Sequence, residues 1–369
     1  MIMKTIYFVH LYNDYSGSPK VLKDVLSSID ERIFNVCLVT SQSDGFLSFW
    51  KGKSYKYNYR PHSNKTIMLV FYLFTQVRLF LYLLFSLNKG DLVYINTVLP
   101  FGAFLASKLK RCESIYHVHE TYIKPALLMK FLMLFVRNAT EVIFVSNYVS
   151  SFYKLKSHQI KSVLYNSNGF VDEVSESRDV QIGEISKETG FKCLMVCSLK
   201  KYKGIQEFIN VASILSNDDD IKFTLQLSAD KVDVEKFFSG SVVPKNLDIL
   251  SVNNDLTRVY KNHDLLLNCT NSDECIETFG LTIIEAMSFG LPCIVPNVGG
   301  PSEIVEHGIT GFCIDSKDQY TISQKILELS KDKKKYQVLS HNALLRSKCF
   351  RFDKFCKKIN FILNKYSRV

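Results

Sequence analysis

The chain alternates short, continuous apolar runs with helical stretches, and it does so twice. In the first half the strand-like runs are Thr5–Val9, Phe34–Thr40, Leu92–Asn96, Ser114–His119 and Glu141–Ser146. Between them the pattern predicts helices near Pro19–Ile29, Thr66–Leu87, Phe101–Lys110, Pro125–Arg137 and Asn147–Leu155. Strands that are apolar on both faces and joined by helices belong in a buried parallel sheet. From Asn166 to Thr189 the sequence turns polar and rich in turn formers, which reads as a linker. The alternation then restarts with strand-like Cys193–Leu199, a helix over Ile205–Leu215, and strands at Phe223–Leu227 and Leu265–Thr270. A helix at Gly280–Phe289, a strand at Cys293–Pro296 and three polar helices ending at Lys365 complete it. The 369 residues suit two domains of roughly 150–200 residues better than a single core. Two similar α/β domains with a cleft between them are expected, with ligands at the carboxyl ends of the strands.

The ten cysteines form no C-x-x-C pair, and most lie inside strand-like runs such as Lys192–Leu199. Buried, reduced thiols in a cytoplasmic protein follow, not a disulfide framework or a zinc site. The N-terminal MIMKTIYFVH turns polar at Asn13, too soon for a secretion signal, and reads as a first strand. Asp218-Asp219-Asp220 resembles a metal-binding acidic cluster but lies in a polar turn between helix and strand, so it reads as a solvated loop.

Charge is unevenly spread. Lys51 to Arg137 holds 13 Lys or Arg against three acids, while the remainder is balanced. Basic residues around apolar helices suit an anionic lipid surface. Nucleic acid, the rival partner of a basic patch, requires no long apolar helix and is not expected. The stretch Thr66–Leu87 is long enough to cross a bilayer at 1.5 Å per residue. Crossing would, however, separate the strands on its two sides and place Arg78 near the bilayer centre at a cost of about 2.5–3.5 kcal/mol. A surface helix touching lipid is the expectation, ahead of a plain core helix or a span.

The most specific stretch is ETFGLTIIEAMSFGLPCIVPNVGGPSEIVEHGITGFCID, Glu277 to Asp315. A loop becomes a helix at Phe279-Gly280-Leu281, and the exposed N–H groups of a helix start favour a phosphate. Glu277, just before the helix, is placed to reach past that phosphate to a sugar. Glu285, a turn and a half in, is placed to reach back to ribose hydroxyls. Alone, such a pair reads as two solvent-facing carboxylates; the flanking Gly280, Gly290, Pro292, Gly299, Gly300 and Glu303 point to a nucleotide diphospho-sugar instead.

This segment resembles the retaining GT-B glycosyltransferases of family 4 (glycosyl transferases group 1), whose signature is E-x-F-G-x-x-x-x-E-A-M-x-x-G-x-P, then G-G-x-x-E and D/H-G-x-x-G-F/L turns. Glu277, Phe279, Gly280, Glu285, Ala286, Met287, Gly290, Pro292, Gly299, Gly300, Glu303, Gly308 and Gly311 fall in register. Other stretches match in chain order. Ser16-Gly17-Ser18-Pro19 opens a helix after the first strand, with Ser18 expected as N-cap and Pro19 at the first helical position. The family has a glycine-rich loop there against the donor diphosphate, of which Gly17 alone remains. His117-Val118-His119-Glu120 closes a strand, and the resemblance assigns His119 to the transferred sugar, with His117 a packed neighbour. The family's Arg and Lys, five residues apart, fall on Ser198 and Lys203, leaving Lys200 or Lys201 to supply the missing charge. Asn166 resembles the residue that opens the interdomain hinge.

The resemblance implies a GT-B fold of two Rossmann-like domains facing across a cleft. Residues 1–170 would bind the acceptor, 171–190 link, 191–352 bind the nucleotide sugar, and 353–369 form a helix returning to the first domain. His119, Glu277 and Lys203 are the expected catalytic residues. Gly17, Ser198, Lys203, Phe279, Gly280, Leu281 and Glu285 are the expected donor contacts, with no metal or other cofactor. Retention of configuration would proceed by front-face displacement with the leaving diphosphate as base. Tyr12, Tyr15, Tyr122 and Lys124 lie near strand ends where an acceptor would bind. A polyprenyl-linked or other glycan, as in bacterial O-antigen or capsule assembly, suits the basic, apolar first half at the inner face of the cell membrane. A sugar-nucleotide 2-epimerase of the same fold and a non-catalytic membrane-binding scaffold are the alternatives.

Overall fold

Both apolar alternations fold into parallel sheets. The computed structural model describes residues 3–169, 190–252 and 255–367. The chain divides into one unit of Met1–Ser167 with Asp353–Val369 and a second of Asn168–Phe352. The linker expected over 171–190 lies outside the described residues except for Gly190.

The first unit has seven strands: β1 (Thr5–Val9), β2 (Asn35–Ser41), β3 (Ser54–Tyr57), β4 (Leu92–Asn96), β5 (Glu113–Val118), β6 (Glu141–Phe144) and β7 (Ile160–Val163). They lie in the order β3-β2-β1-β4-β5-β6-β7, every pair parallel. The order reverses between β1 and β4, which opens a crevice at their carboxyl ends. Helices α1 (Gly17–Ser28), α2 (Lys65–Ser86), α3 (Phe101–Leu109), α4 (Ala126–Val136) and α5 (Asn147–Ser151) connect the strands. Tyr7, Val9, Val93, Ile95, Tyr116 and Val118 anchor a core fully removed from water.

Helix α1 begins two residues earlier than expected. Ser16, not Ser18, is the N-cap residue, and it makes no side-chain cap bond. Instead Asp14 accepts from both the amide and the hydroxyl of Ser16. Pro19 therefore sits in the first turn, where its missing N–H would have no intrahelical partner in any case.

Helix α2 is the apolar 22-residue stretch. Tyr72, Leu79 and Leu83 enter the core, and Gln76 is the polar residue whose place the fold explains. Its Oε1 accepts the Gly102 N–H at the start of α3 at 3.0 Å. A side chain at Gly102 would collide with the Gln76 carbonyl at 2.2 Å, so the two helices cross in close contact. Since β3 before α2 and β4 after it share one sheet, this helix cannot cross a bilayer with the sheet intact.

In the second unit β8 (Phe191–Cys197), β9 (Ile221–Leu227), β10 (Leu247–Leu250), β11 (Leu265–Leu267), β12 (Cys293–Val295) and β13 (Gly311–Cys313) pair in parallel in the order β10-β9-β8-β11-β12-β13. Here the order reverses between β8 and β11. The helices are α6 (Ile205–Ile214), α7 (Lys231–Phe237), α8 (Leu256–Lys261), α9 (Leu281–Ser288), α10 (Pro301–Ile304), α11 (Gln319–Lys331), α12 (Lys333–Ser347) and α13 (Phe352–Asn364). From Asp353 onward the chain belongs to the first unit. There Asn360 donates to the Ser28 carbonyl, and Lys365 and Tyr366 both reach the buried Glu141 carboxylate. All ten cysteines are free thiols. Asp218–Asp220 forms a turn, with Asp219 paired to Lys245 at the surface.

Candidate active site

Each sheet gathers polar side chains where its strand order reverses. In the second unit the chain leaves β8 through Ser198 and a 3-10 turn, Lys201–Lys203, before Gly204 opens α6. The loop after the neighbouring β11 is stitched to that turn by the Asn271 N–H donating to the Tyr202 carbonyl at 2.9 Å. Lys203 thereby faces Glu277, with Nζ 3.3 Å from Oε1. The other carboxylate oxygen accepts from Asn268 Nδ2 at 2.8 Å and Thr270 Oγ1 at 3.0 Å. The two charged side chains are only 23 % and 17 % exposed. Burial by itself pushes the Glu277 carboxyl up and the Lys203 ammonium down. Their mutual attraction, with the Asn268 and Thr270 donors, overcomes this and leaves Glu277 below and Lys203 above their ordinary values. Both are charged at neutral pH. A carboxylate has about four acceptor positions, and three are filled, so one remains for a ligand.

Glu277 is held from behind by the glycine pair. Gly300 donates its N–H to the Glu277 carbonyl at 2.9 Å. A side chain at Gly299 would lie 2.5 Å from that carbonyl, and one at Gly300 2.3 Å from the Thr278 carbonyl. Only two glycines allow this approach. Phe279 is buried, edge-on to Phe350 at 6.0 Å. Gly280, with φ of 109°, turns the chain into α9, whose first residue is Leu281 and whose N-cap position supplies no side-chain cap. That leaves the helix start open to an anion.

Other expected contacts lie apart from this group. Glu285 does not face solvent: it is 4 % exposed, and its Oε2 accepts from the Tyr260 hydroxyl at 2.9 Å. Tyr260 is itself stacked on Phe289 at 5.5 Å, so the position of the carboxylate is set by packing. Ser198 is half-buried, its carbonyl taking the Lys200 N–H at 2.7 Å. Lys200 and Lys201 are exposed, and Lys203 alone of the three is drawn inward.

In the first unit, β4 ends in Asn96, and His10 and His119 directly follow β1 and β5. The Asn96 amide nitrogen donates to the Ser18 carbonyl at 3.0 Å and lies 3.0 Å from His10 Nδ1. Its oxygen lies 2.9 Å from His119 Nε2. A carbonyl only accepts, so Ser18 fixes which end of the amide is NH₂. It follows that His119 donates its Nε2 proton to Asn96, and that His10 accepts at Nδ1. Burial lowers His10 to about 4 and His117 to about 3. Burial, then the neighbouring His117 and His10, lower His119 as well. His119 is therefore neutral, with the lone pair on Nδ1. His117 packs 4.6 Å from it, ring to ring, and its Nδ1 is 2.7 Å from the Tyr94 hydroxyl. Glu120 accepts the His119 and Val98 amides. Burial pushes its carboxyl up to about 7 against those bonds. Gly17, exposed, is the first residue of α1 and directly precedes Ser18, whose carbonyl accepts from Asn96.

Sequence reasoning missed Asn96, His10, Glu120, Asn268 and Thr270 as members of these groups. A usable signal was present. His10, Asn96 and Asn268 are the polar residues that close or directly follow an apolar strand beside a reversal of strand order.

Residues 177–346 match the family model described as Glycosyl transferases group 1, so the second unit carries a domain of that type. N-acetyl-alpha-D-glucosaminyl L-malate synthase of Bacillus anthracis is 24 % identical over 275 residues, 69 % of this chain and 68 % of that one. Sucrose synthase of Acidithiobacillus caldus is 34 % identical over 108 residues, 25 % of this chain but only 14 % of that longer protein. The crystal structure of Anabaena Alr3699/HepE in complex with UDP-glucose aligns with a TM-score of 0.74 at 17 % identity, over 98 % of this chain and 99 % of that one. The fold is thus that of GT-B glycosyltransferases, two parallel-sheet, Rossmann-like α/β domains.

Proposed function

We propose that the protein is a retaining, metal-independent glycosyltransferase of family 4. It moves a sugar from a nucleotide diphosphate sugar to a lipid-linked glycan during bacterial surface polysaccharide assembly. The observation that carries this reading is the Lys203–Glu277 pair beside the uncapped start of α9. The cation and the helix start are suited to the charge that develops on a leaving diphosphate, a task other folds give to a divalent metal. The remaining acceptor position of Glu277 suits a sugar hydroxyl. Glu285 suits the ribose hydroxyls, with Tyr260 fixing its rotamer. In the first unit, the lone pair on His119 Nδ1 would accept from the transferred sugar, and the α1 start at Gly17 offers further backbone N–H groups to phosphate.

In the reaction, the acceptor hydroxyl oxygen bonds to the anomeric carbon on the face that the diphosphate leaves. The bond from that carbon to the diphosphate oxygen breaks, and the hydroxyl proton passes to the departing diphosphate. The anomeric configuration is kept, and no protein nucleophile is needed. A nucleotide-sugar donor is supported by the UDP-glucose complex of the Anabaena protein, which shares the fold.

The membrane part of the reading rests on α2 and α4. Phe74, Val77 and Phe85 of α2 and Leu127 and Leu134 of α4 are exposed, amid the basic residues of Lys51–Arg137. Such a face suits reversible attachment to the inner leaflet of the cell membrane.

A thermal-shift and calorimetric series with UDP-, GDP- and dTDP-sugars tests the donor, and NMR of the product's anomeric proton tests retention. Absence of binding to every nucleotide sugar, or an inverted product, would overturn the proposal.

A further inference from the structure

Beside α2 the first unit has a cavity of about 460 Å³ lined by both cationic and aromatic side chains. One side is the loop carrying Tyr59, Arg60 and His62; the other is the α2 face of Phe71, Phe74 and Arg78. No acidic side chain among the described residues lines it. Among the described residues, the half-buried Arg78 and the exposed Arg60 have no carboxylate within 4 Å of their guanidinium groups and no hydrogen-bond partner. His62 accepts the Asn64 N–H at its Nδ1, which leaves Nε2 as a donor. Two unpaired guanidinium groups and an imidazole N–H at one cavity match a phosphate, which Arg binds in a two-pronged fashion.

The apolar wall does not stop at the cavity. Residues 71, 74 and 78 share one helix face, and the exposed stripe continues through Val77 and Leu81 to Phe85, which is 82 % exposed. At 1.5 Å per residue, the stretch from Phe71 to Phe85 runs roughly 21 Å. A soluble anion would fill the basic end and leave this stripe bare. A phosphate ester of a long hydrocarbon chain would cover both.

We propose that this cavity binds the phosphate head of a long-chain lipid, with Arg60 and Arg78 holding the head and the α2 stripe taking the chain. The site rests on the membrane reading above and narrows it from a charged surface to a head-group-selective pocket. It does not depend on the donor chemistry of the second unit.

The test uses the full chain and vesicles of phosphatidylcholine, alone or with 5 mol% polyprenyl phosphate, and it compares two charge-matched variants. Arg60→Gln/Arg78→Gln removes the pocket cations, and Lys51→Gln/Lys53→Gln removes two exposed cations elsewhere. Losing charge-assisted hydrogen bonds should weaken binding to the polyprenyl phosphate vesicles about 10- to 100-fold in the Arg pair. The Lys pair should lose only a few-fold, and millimolar inorganic pyrophosphate should displace little protein. Equal losses in both variants, or none in the Arg pair, would overturn the pocket while leaving the membrane reading in place. Full displacement by pyrophosphate would show a site for soluble anions and overturn the lipid assignment. If the unaltered protein ignores both kinds of vesicle, the membrane reading fails and the pocket with it. Matching thermal transitions of all three proteins exclude unfolding as the cause.

Discussion

The side chain of Asn96 donates to the Ser18 carbonyl at 3.0 Å and accepts from His119 Nε2 at 2.9 Å. One amide thus ties the first turn of α1 to the histidine at the end of β5, and the carbonyl decides the tautomer of the imidazole. Replacing Asn96 by Asp removes the donor and sets a negative charge beside His119. The His119 pKa should then climb towards the usual value of about 6.5. Long-range nitrogen–proton NMR of the imidazoles across pH reads this directly. A His119 whose pKa does not rise in the variant, or whose proton sits on Nδ1 in the unaltered protein, would count against the assignment. Asn96→Ala should lower kcat by about 10²-fold through misplacement of the ring, with donor affinity nearly unchanged.

Lys203 and Glu277 are expected to act as a unit. Lys203→Ala should cost about 10²–10³ in rate, as for one lost oxyanion donor, and activity should survive EDTA. A strict requirement for Mg²⁺ or Mn²⁺ would contradict this. Stability offers an independent check. With Lys203 present, Glu277 titrates below its ordinary value, so its contribution is complete above about pH 4.5 and is lost as pH falls through the lowered value. Without Lys203, burial is opposed only by the Asn268 and Thr270 donors, so the lowering should shrink. The variant should then lose less stability on acidification than the unaltered protein, which thermal denaturation between pH 3 and 8 will show.

Glu285→Ala should weaken donor binding by roughly 1.5–3 kcal/mol, since it deletes a charged acceptor. Tyr260→Phe leaves the carboxylate but frees its rotamer, and should cost about 1 kcal/mol of the same binding. Calorimetry with the preferred nucleotide separates the two. Unchanged affinity in Glu285→Ala would remove this residue from the donor site.

Glu120 gives a pH dependence of opposite sign to that of Glu277. Burial raises its carboxyl from 4.5 to about 7. Its stabilisation is therefore complete below pH 4.5 and declines as pH rises through 7. The neutral substitute Glu120→Gln should flatten that decline by on the order of 2–3 kcal/mol between pH 5 and 8. Parallel pH profiles of stability for the two proteins would refute the raised value.

Interior strands were readable because they are apolar on both faces. Thr5–Val9 and Leu92–Asn96 appear at the residues the pattern marks. The strands that went unread are β3, β7, β10 and β13, and all four are sheet edges. An edge strand pairs on one side only, so it is short and partly polar, as in Ser54–Tyr57, and carries little hydrophobic signal.

By itself the sequence determined the two α/β halves, the glycine positions around Glu277, and the concentration of positive charge beside α2. Those depend on local chain properties: apolar period, backbone freedom and composition. Tertiary structure alone decided which polar groups meet. Lys203 became the partner of Glu277, 74 residues further on, because β8 and β11 are adjacent in the sheet though far apart in the chain. Asn96 lies 78 residues from Ser18 and 23 from His119, and β1, β4 and β5 bring the three together. The titration of Glu120 and the burial of Glu285 were likewise unreadable, because solvent exclusion belongs to the packed surroundings and not to the residue.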